Sequence, residues 1–389
     1  MDFALTEEQR MFQKMFRDFV TNEVAPLAEE IDHEEKPPLE LLPKAAMQGF
    51  LGALLPEEFG GVALDAISYC LLLEELGRAC TSTAMTISVH NGLVGKTILD
   101  NGTNEQRSKY LEPMALGEKI GSFALTEPAA GSDVTVLETR ASHVCNGQDY
   151  ILNGCKVWAS NGEIADIFVV FAVTNPEVGD KGISAFIVEK DTPGFKVGYR
   201  EKTMGLRGLA CNTLYFDDCQ VPAENLLGEE GEGLKIATTA SDFARLSLSA
   251  ICLGGAQAAL EAGVQFSVEH EEFGGPIALK QAVQNFIADT VAEIEALRYL
   301  VYHTAWLADQ GTPYSRDASI AKLIGSEVAM RAANKMLQVH GGFGYMKEYA
   351  IERMYRDFRA MRIIEGSSEI QRFVIARDIL KEKGIQIEP

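Results

Sequence analysis

Hydrophobic positions recur at helical spacing near the start of the chain. In TEEQRMFQKMFRDFVTNEV, Met11, Phe12, Met15, Phe16 and Phe19 fall three or four residues apart, behind Thr6 as an N-cap and an acidic first turn. The spacing predicts an amphipathic helix with these five side chains inward. DAISYCLLLEELGRA repeats the pattern and is expected to stop at Gly77, and LLPEEFGG (54–61) is a turn-rich break. The pattern changes near residue 121. DIFVVFAVT (166–174), GISAFIVEK (182–190) and NTLYFDDCQVP (212–222) are short, β-branched and aromatic, with Gly, Asn, Asp and Pro between them. They predict a compact antiparallel β domain. From Gly233 the helical period returns in three long segments. The first is DFARLSLSAICLGGAQAALEAGVQFSVEHEEF. The second, ALKQAVQNFIADTVAEIEALRYLVYHTAWLADQG, ends at Gly311 and Pro313. The third, SRDASIAKLIGSEVAMRAANKMLQVHGG, is stopped by Gly341 and Gly342. Their wide apolar surfaces predict a helical bundle buried in part between subunits. The fold class is thus α+β, mainly α, with an N-terminal helical domain over 1–120, a β-sheet domain over 121–232 and a C-terminal helical domain over 233–389.

Composition narrows the function. The 389 residues are 47% hydrophobic, enough for a large core, and the formal net charge is −21. Such a surface repels phosphate backbones and anionic lipid heads, so no nucleic acid partner is expected. The acidic, polar start MDFALTEEQRMF is not a signal peptide, and no run approaches ~18 uninterrupted apolar residues, so no membrane insertion is expected. Seven dispersed cysteines without a CxxC pair fit a reducing compartment and a cytoplasmic location. No HExxH or HxxxH pair supports a metal site.

Four segments carry candidate chemistry. FALTEPAAGSD (123–133) offers Thr126, Ser132 and Gly131 in a Pro-defined turn. It presents hydroxyls and backbone N–H groups to a planar polar ligand, or is an ordinary helix-to-strand connection. KVWASNG (156–162) sets Trp158 beside Ala159 and Ser160, where an indole can stack on a flat ring while the hydroxyl bonds its edge; a core tryptophan is the alternative. QVHGGFGY (338–345) follows a helix but is neither a Walker loop nor a Rossmann fingerprint. In IIEGSSEIQR (363–372), Glu365 is either a capping carboxylate or a base kept from water.

In order and at their spacing, these segments resemble the signature segments of the acyl-CoA dehydrogenases. LTEEQRMFQKMFRDFV and TMGLRGLACNTLYFDDCQVP add to the likeness, which runs over about residues 4–380. The resemblance implies a helical N-domain, a β domain and a C-terminal four-helix bundle. It also implies FAD, an acyl-CoA substrate, electron-transferring flavoprotein as electron partner, and a homotetramer built as a dimer of dimers with flavin at subunit interfaces. Carried over by position, Phe123, Leu125 and Thr126 hold the flavin ring; Trp158, Ala159 and Ser160 flank its other side, with Ser160 near N5. Gln338, Gly341 and Gly342 reach the adenosine half of a neighbouring subunit's FAD, while Ser367 and Glu369 contact FAD within the subunit. Ser132, Asp242, Arg245 and Gly366 hold the substrate, the first three at its CoA arm.

The implied reaction is α,β-desaturation of a short- to medium-chain, possibly branched, thioester, with hydride passing to flavin N5. The α-proton is too weakly acidic for a solvated carboxylate, at about pKa 4.3. The base must be desolvated and the enolate stabilised by preorganised donors. Glu365, after Ile363 and Ile364, is the expected base, with the two isoleucines helping to desolvate it. In the family its backbone N–H and a ribityl hydroxyl serve the enolate. The isovaleryl branch carries its base just before the CoA-binding arginine, which is Ala244 here.

Two positions depart from the family pattern. HEEFG (270–274) keeps Phe273, Gly274 and the downstream Gln281, but His270 stands where an arginine usually binds the FAD pyrophosphate. A permanent bidentate cation is replaced by an imidazole with two glutamates behind it. Ile364 stands where many members carry Tyr. The competing functions are an enoyl-CoA reductase running the reverse reaction and a flavin-poor acyl-CoA-binding homologue, the latter motivated by His270.

Overall fold

The computed structural model describes residues 4–144 and 149–387. The outer limits of the expected first and last domains, residues 1 and 389, lie outside them. The helices are α1 (Glu7–Phe19), α2 (Ala28–His33), α3 (Leu41–Met47), α4 (Ala66–Ala79), α5 (Thr81–Ser88), α6 (Lys96–Asn101) and α7 (Asn104–Ala115), then, after the strands, α8 (Gly233–Glu269), α9 (Gln281–Asp309), α10 (Ser315–His340), α11 (Ala350–Met361) and α12 (Ser368–Lys381).

α1 begins where Thr6 predicts. Thr6 Oγ1 accepts from the Gln9 N–H and Gln9 Oε1 accepts from the Thr6 N–H, each at 3.1 Å, a capping box worth about 1 kcal/mol. Its inner face is narrower than expected. Phe16 is buried and Phe12 and Phe19 pack beside it, but Met11 and Met15 are exposed. Each lies one residue, or about 100°, off the Phe12–Phe16–Phe19 line.

α4 does not stop at Gly77; it runs to Ala79. That glycine is needed for packing. A Cβ on it would lie 2.4 Å from the Ile251 carbonyl of α8, and a Cβ on Gly254 of α8 would lie 1.8 Å from the Glu74 carbonyl of α4. The two backbones touch through reciprocal glycines. One hydrophobic core therefore joins α1–α5 to α8–α11, from Phe16 and Leu72 to Leu253, Ala333 and Phe358. α8 is long and apolar enough to cross a membrane, but 89% of its most apolar window is buried inside the structure.

The strands are β1 (Gly121–Ala124), β2 (Arg140–His143), β3 (Asp149–Ser160), β4 (Ile167–Val173), β5 (Ile183–Glu189), β6 (Phe195–Arg200), β7 (Cys211–Pro222) and β8 (Leu226–Leu227). They form one sheet in the order β6-β7-β3-β2-β4-β5-β8, with β1 also paired to β4. The sheet is mixed, not purely antiparallel, because β1 and β2 both run parallel to β4. Parallel neighbours need a long crossover, which the 125–139 loop and the β2–β3 hairpin supply. β4 is buried on both faces. Ile167, Val169, Phe171 and Val173 meet α6, α7 and the start of α8, while Phe168, Val170 and Ala172 fill the sheet's other side. This explains a run without polar alternation.

His90 ties the helices to this sheet. Gly121 N donates to its Nδ1 at 3.1 Å, so Nε2 carries the proton and donates to the carbonyls of Leu51 and Met114. Burial pushes its pKa down to about 4, which keeps the ring neutral. Cys70, Cys80, Cys155, Cys211, Cys219 and Cys252 are free thiols; Cys145 lies outside the described residues.

Candidate functional site

Two backbone ends meet at the entry to the sheet. Val157 N donates to Thr126 O at 2.9 Å and Ser122 Oγ to Ser160 O at 2.7 Å, so Phe123–Thr126 and Trp158–Ser160 lie side by side. The β3–β7 register slips between Lys156 and Ala159, and Trp158 there adopts φ +57° with 59% of its surface exposed. It is not a core tryptophan. An exposed flat ring on segments that also carry Thr126 and Ser160 suits a planar polar heterocycle such as a flavin.

Behind this pair sits a buried ion pair. Lys156 Nζ lies 2.6 Å from Glu127 Oε1 and donates to Leu125 O at 2.9 Å, while Glu127 accepts from the N–H groups of Glu138 and Thr139. Burial draws the lysine down to about 8 against the pull of Glu127. For the carboxyl, burial acts upward but Lys156 and the N–H donors outweigh it and hold it low.

Glu365 lies in the loop between α11 and α12 with φ +53°, followed by Gly366 at +85°. Burial pushes its carboxyl above the usual range, opposed by Lys322 on α10 and Arg245 on α8. It is not the helix cap. Ser367 caps α12, its Oγ accepting from Ile370 N. Ile364 packs against the main core, but Ile363 is 57% exposed. Glu365 itself is half-buried in the single subunit, and Ile363, being exposed, does not help to desolvate it there as expected.

Arg245 and Asp242 pair at 2.8 Å, one helical turn apart on α8, and Ser315 donates to the same carboxylate at 2.9 Å. Burial raises the Asp242 carboxyl against these partners. The Arg245 Nε is buried without a partner, a donor available to a bound group. Ala244 is buried beside it. Ser132 and Glu369 are exposed.

The remaining candidates form a second cluster. α8 ends at Glu269, not at Phe273, because HEEFGG folds back: Glu271 bridges Pro276, and Phe273 and Gly274 take φ +53° and +84°. His270 stacks on Phe266, which also stacks on His340, with Phe343 against both Phe266 and His270. Gln338, Gly341 and Gly342 are exposed at this end, and a Cβ on either glycine would meet nothing within 4 Å. Phe273 and Gln281 are also exposed. Along α8, Arg245 and His270 are about 40 Å apart at 1.5 Å per residue. The structure thus groups Glu365 with Arg245 and Asp242, and the 123–126 segment with 158–160, while the His270 group lies at the far end of α8 from Arg245.

Sequence reasoning missed Lys156, Glu127, Lys322 and Gln371. The available signal was a lone lysine within an apolar run, in ASIAKLIG and again before VWA.

Three family models match the chain: acyl-CoA dehydrogenase N-terminal domain over residues 6–118, middle domain over 122–219 and C-terminal domain over 231–380. An acryloyl-CoA reductase (NADH) from Anaerotignum propionicum is 44% identical over 381 residues, covering 98% of this chain and 96% of that protein. Butyryl-CoA dehydrogenase from Megasphaera elsdenii superposes with a TM-score of 0.95 at 40% identity, covering 98% of this chain and all of that one. An acyl-CoA dehydrogenase from Bacillus anthracis, solved complexed with FAD, gives a TM-score of 0.92 at 36% identity, covering 98% of this chain and 68% of that one.

Proposed function

The chain belongs to the acyl-CoA dehydrogenase family, and from that premise we propose that it desaturates a short- to medium-chain acyl-CoA between Cα and Cβ. The observation that carries this is Glu365, a carboxylate raised by burial and faced by Arg245 and Lys322. FAD, when bound, supplies the acceptor for the β-hydrogen. The residues fit it: Phe123, Leu125, Thr126, Trp158, Ala159 and Ser160 would hold the flavin ring, and Ser367 and Glu369 would contact FAD within the subunit. Glu365 takes the α-proton on its carboxylate. Desolvation brings its proton affinity closer to that of the thioester α-carbon, which lowers the energy of the transfer. The Glu365 N–H donates to the thioester oxygen where enolate charge develops. Arg245, steadied by Asp242, and Ser132 hold the CoA arm, and Gly366, at φ +85° and with Gln371 Nε2 2.5 Å from where a Cβ would sit, allows the backbone turn beside the base.

The distant cluster of His270, Phe273, Gln281, Gln338, Gly341 and Gly342 serves the FAD of a neighbouring subunit. The separation of about 40 Å along α8 supports this, as do Val291 and Trp306, exposed on α9. The assembly is a homotetramer, and electrons leave through an electron-transferring flavoprotein.

Glu365→Gln tests the assignment. Butyryl-CoA added anaerobically should bleach the flavin of the wild type and leave that of the variant oxidised, with flavin content unchanged. Bleaching at the wild-type rate removes Glu365 as the base. The likeness to an acryloyl-CoA reductase favours one second reading, operation as an enoyl-CoA reductase. Rates in both directions with the same electron carrier decide between the two.

A further inference from the structure

The loop that carries Glu365 is held from below by groups that the reaction does not consume. Lys322 is fully buried on α10, and its Nζ donates to Gly366 O at 2.6 Å. Gln371, buried in the first turn of α12, donates from Nε2 to Glu365 O at 3.0 Å and to Gly366 O at 3.1 Å. Two consecutive carbonyls are thus pinned behind two residues in the left-handed region. Glu365 lacks glycine's freedom there, a conformation that costs about 1 kcal/mol or more and persists only where the surroundings enforce it. The far side is fixed as well. Ser368 N donates to Arg362 O at 3.0 Å, and Ser368 Oγ and Arg362 Nε both donate to Glu327 Oε1, again on α10.

We propose that Lys322 is a positioning residue for Glu365, fixing its backbone through the Gly366 carbonyl and presenting a buried positive charge to its carboxylate. This rests on Glu365 being the base. The two effects answer two demands. Fixing the dihedrals of Glu365 aims the carboxylate and the Glu365 N–H together, so a single clamp sets proton abstraction and enolate stabilisation in register. The charge opposes the effect of desolvation. Burial alone favours the protonated, idle form of the base, and the Lys322 cation favours the ionised form.

Four groups face the Lys322 ammonium: Cys252 and Arg245 from α8, Glu327 from α10 and Glu365 from the loop. Cys252 is pushed up to about 12 by burial and is a neutral thiol at pH 7. Glu327 is engaged by Arg362 and Ser368, and Arg245 by Asp242. Glu365 is the remaining anion. Burial lowers Lys322 to about 8, so it stays charged at neutral pH.

The test uses the FAD-loaded enzyme, its Lys322→Met, Lys322→Arg and Gln371→Leu variants, and Glu365→Gln. kcat and KM for butyryl-CoA are measured across pH, with amide hydrogen exchange over residues 363–371. Lys322→Met should lower kcat at pH 7 about tenfold or more with KM within about threefold, the size expected for a displaced base. It should also move the acid limb of kcat to higher pH and speed exchange in the loop. Lys322→Arg should keep the acid limb near its wild-type position. Gln371→Leu should lower kcat and speed exchange without moving the limb. A Lys322→Met acid limb at the wild-type pH overturns the electrostatic role, and unchanged loop exchange overturns the clamp. If Lys322→Met fails to fold, an acid limb that shifts in Lys322→Arg, or loop exchange unchanged in Gln371→Leu, overturns it instead. An active Glu365→Gln enzyme refutes the base itself; an inactive one beside a wild-type-like Lys322→Met refutes only this inference.

Discussion

Replacing Glu127 with Gln isolates the buried charge behind the Trp158–Ser160 segment. The glutamine retains an oxygen for the N–H groups of Glu138 and Thr139, so the change removes charge more than hydrogen bonding. Lys156 and Glu127 are both almost wholly inaccessible, at 0% and 2% exposure. Orphaning one member of such a pair costs about 3–5 kcal/mol. At about 2.1 cal/mol/K of unfolding entropy per residue, that is a Tm loss of about 4–6 °C for a chain of this length. The loss has a pH signature. Lys156 sits near 8 in the folded protein, below its value of 10.5 when exposed, so the unfolded chain binds more protons between these values and stability rises with pH across that window. A neutral lysine needs no counter-charge. The Glu127→Gln penalty should therefore be largest near pH 7 and shrink by about pH 10. Lys156→Met added to Glu127→Gln should recover most of it. Thermal unfolding with excess FAD at both pH values provides the assay. A Tm loss below about 1 °C, or one equal at the two pH values, refutes the reasoning.

Two further outcomes are expected. If His270 of one subunit meets the FAD pyrophosphate of its neighbour, His270→Arg should tighten flavin binding by supplying a permanent bidentate cation; a flavin dissociation constant unchanged in that variant counts against the contact. Asp357 is buried, accepts from Leu206 N at 2.6 Å and is raised by burial to about 7. Its stabilising contribution is full below about pH 4 and is lost as pH rises through about 7, so Asp357→Asn should flatten the fall in urea midpoint between pH 4.5 and 7.5, and an unchanged slope would rule out this titration.

Legibility in the sequence followed the range of the interactions involved. Thr6 declared a helix start because its cap is completed three residues away at Gln9. The strand runs announced β4, β5 and β7 within a residue or so at each end. What depended on distant partners was not legible. Gly77 looked like a helix stop, and only the approach of Ile251 shows it to be a contact point. Met11 and Met15 fit the helical period, but the core takes only the Phe12–Phe16–Phe19 line. The direction of β1 relative to β4 is set by the path of the crossover, which no local pattern encodes. At the candidate site, resemblance pointed to Glu365 and Arg245, whereas Lys322 and Gln371 bond to backbone carbonyls and leave no motif of their own.

The reciprocal glycine contact between α4 and α8 also bears on how the chain is made. The helical core closes only when residues on both sides of the sheet are present, and the sheet is threaded between them. At about 5–20 residues per second, α4 leaves the ribosome roughly 10–40 s before the end of α8. During that interval the helix that carries Leu71, Leu72 and Leu73, fully buried in the finished protein, lacks the α8 surface that completes its cover. Chaperone dependence and aggregation during synthesis should therefore concentrate in the first hundred residues, although none of the described residues there lies in a strand.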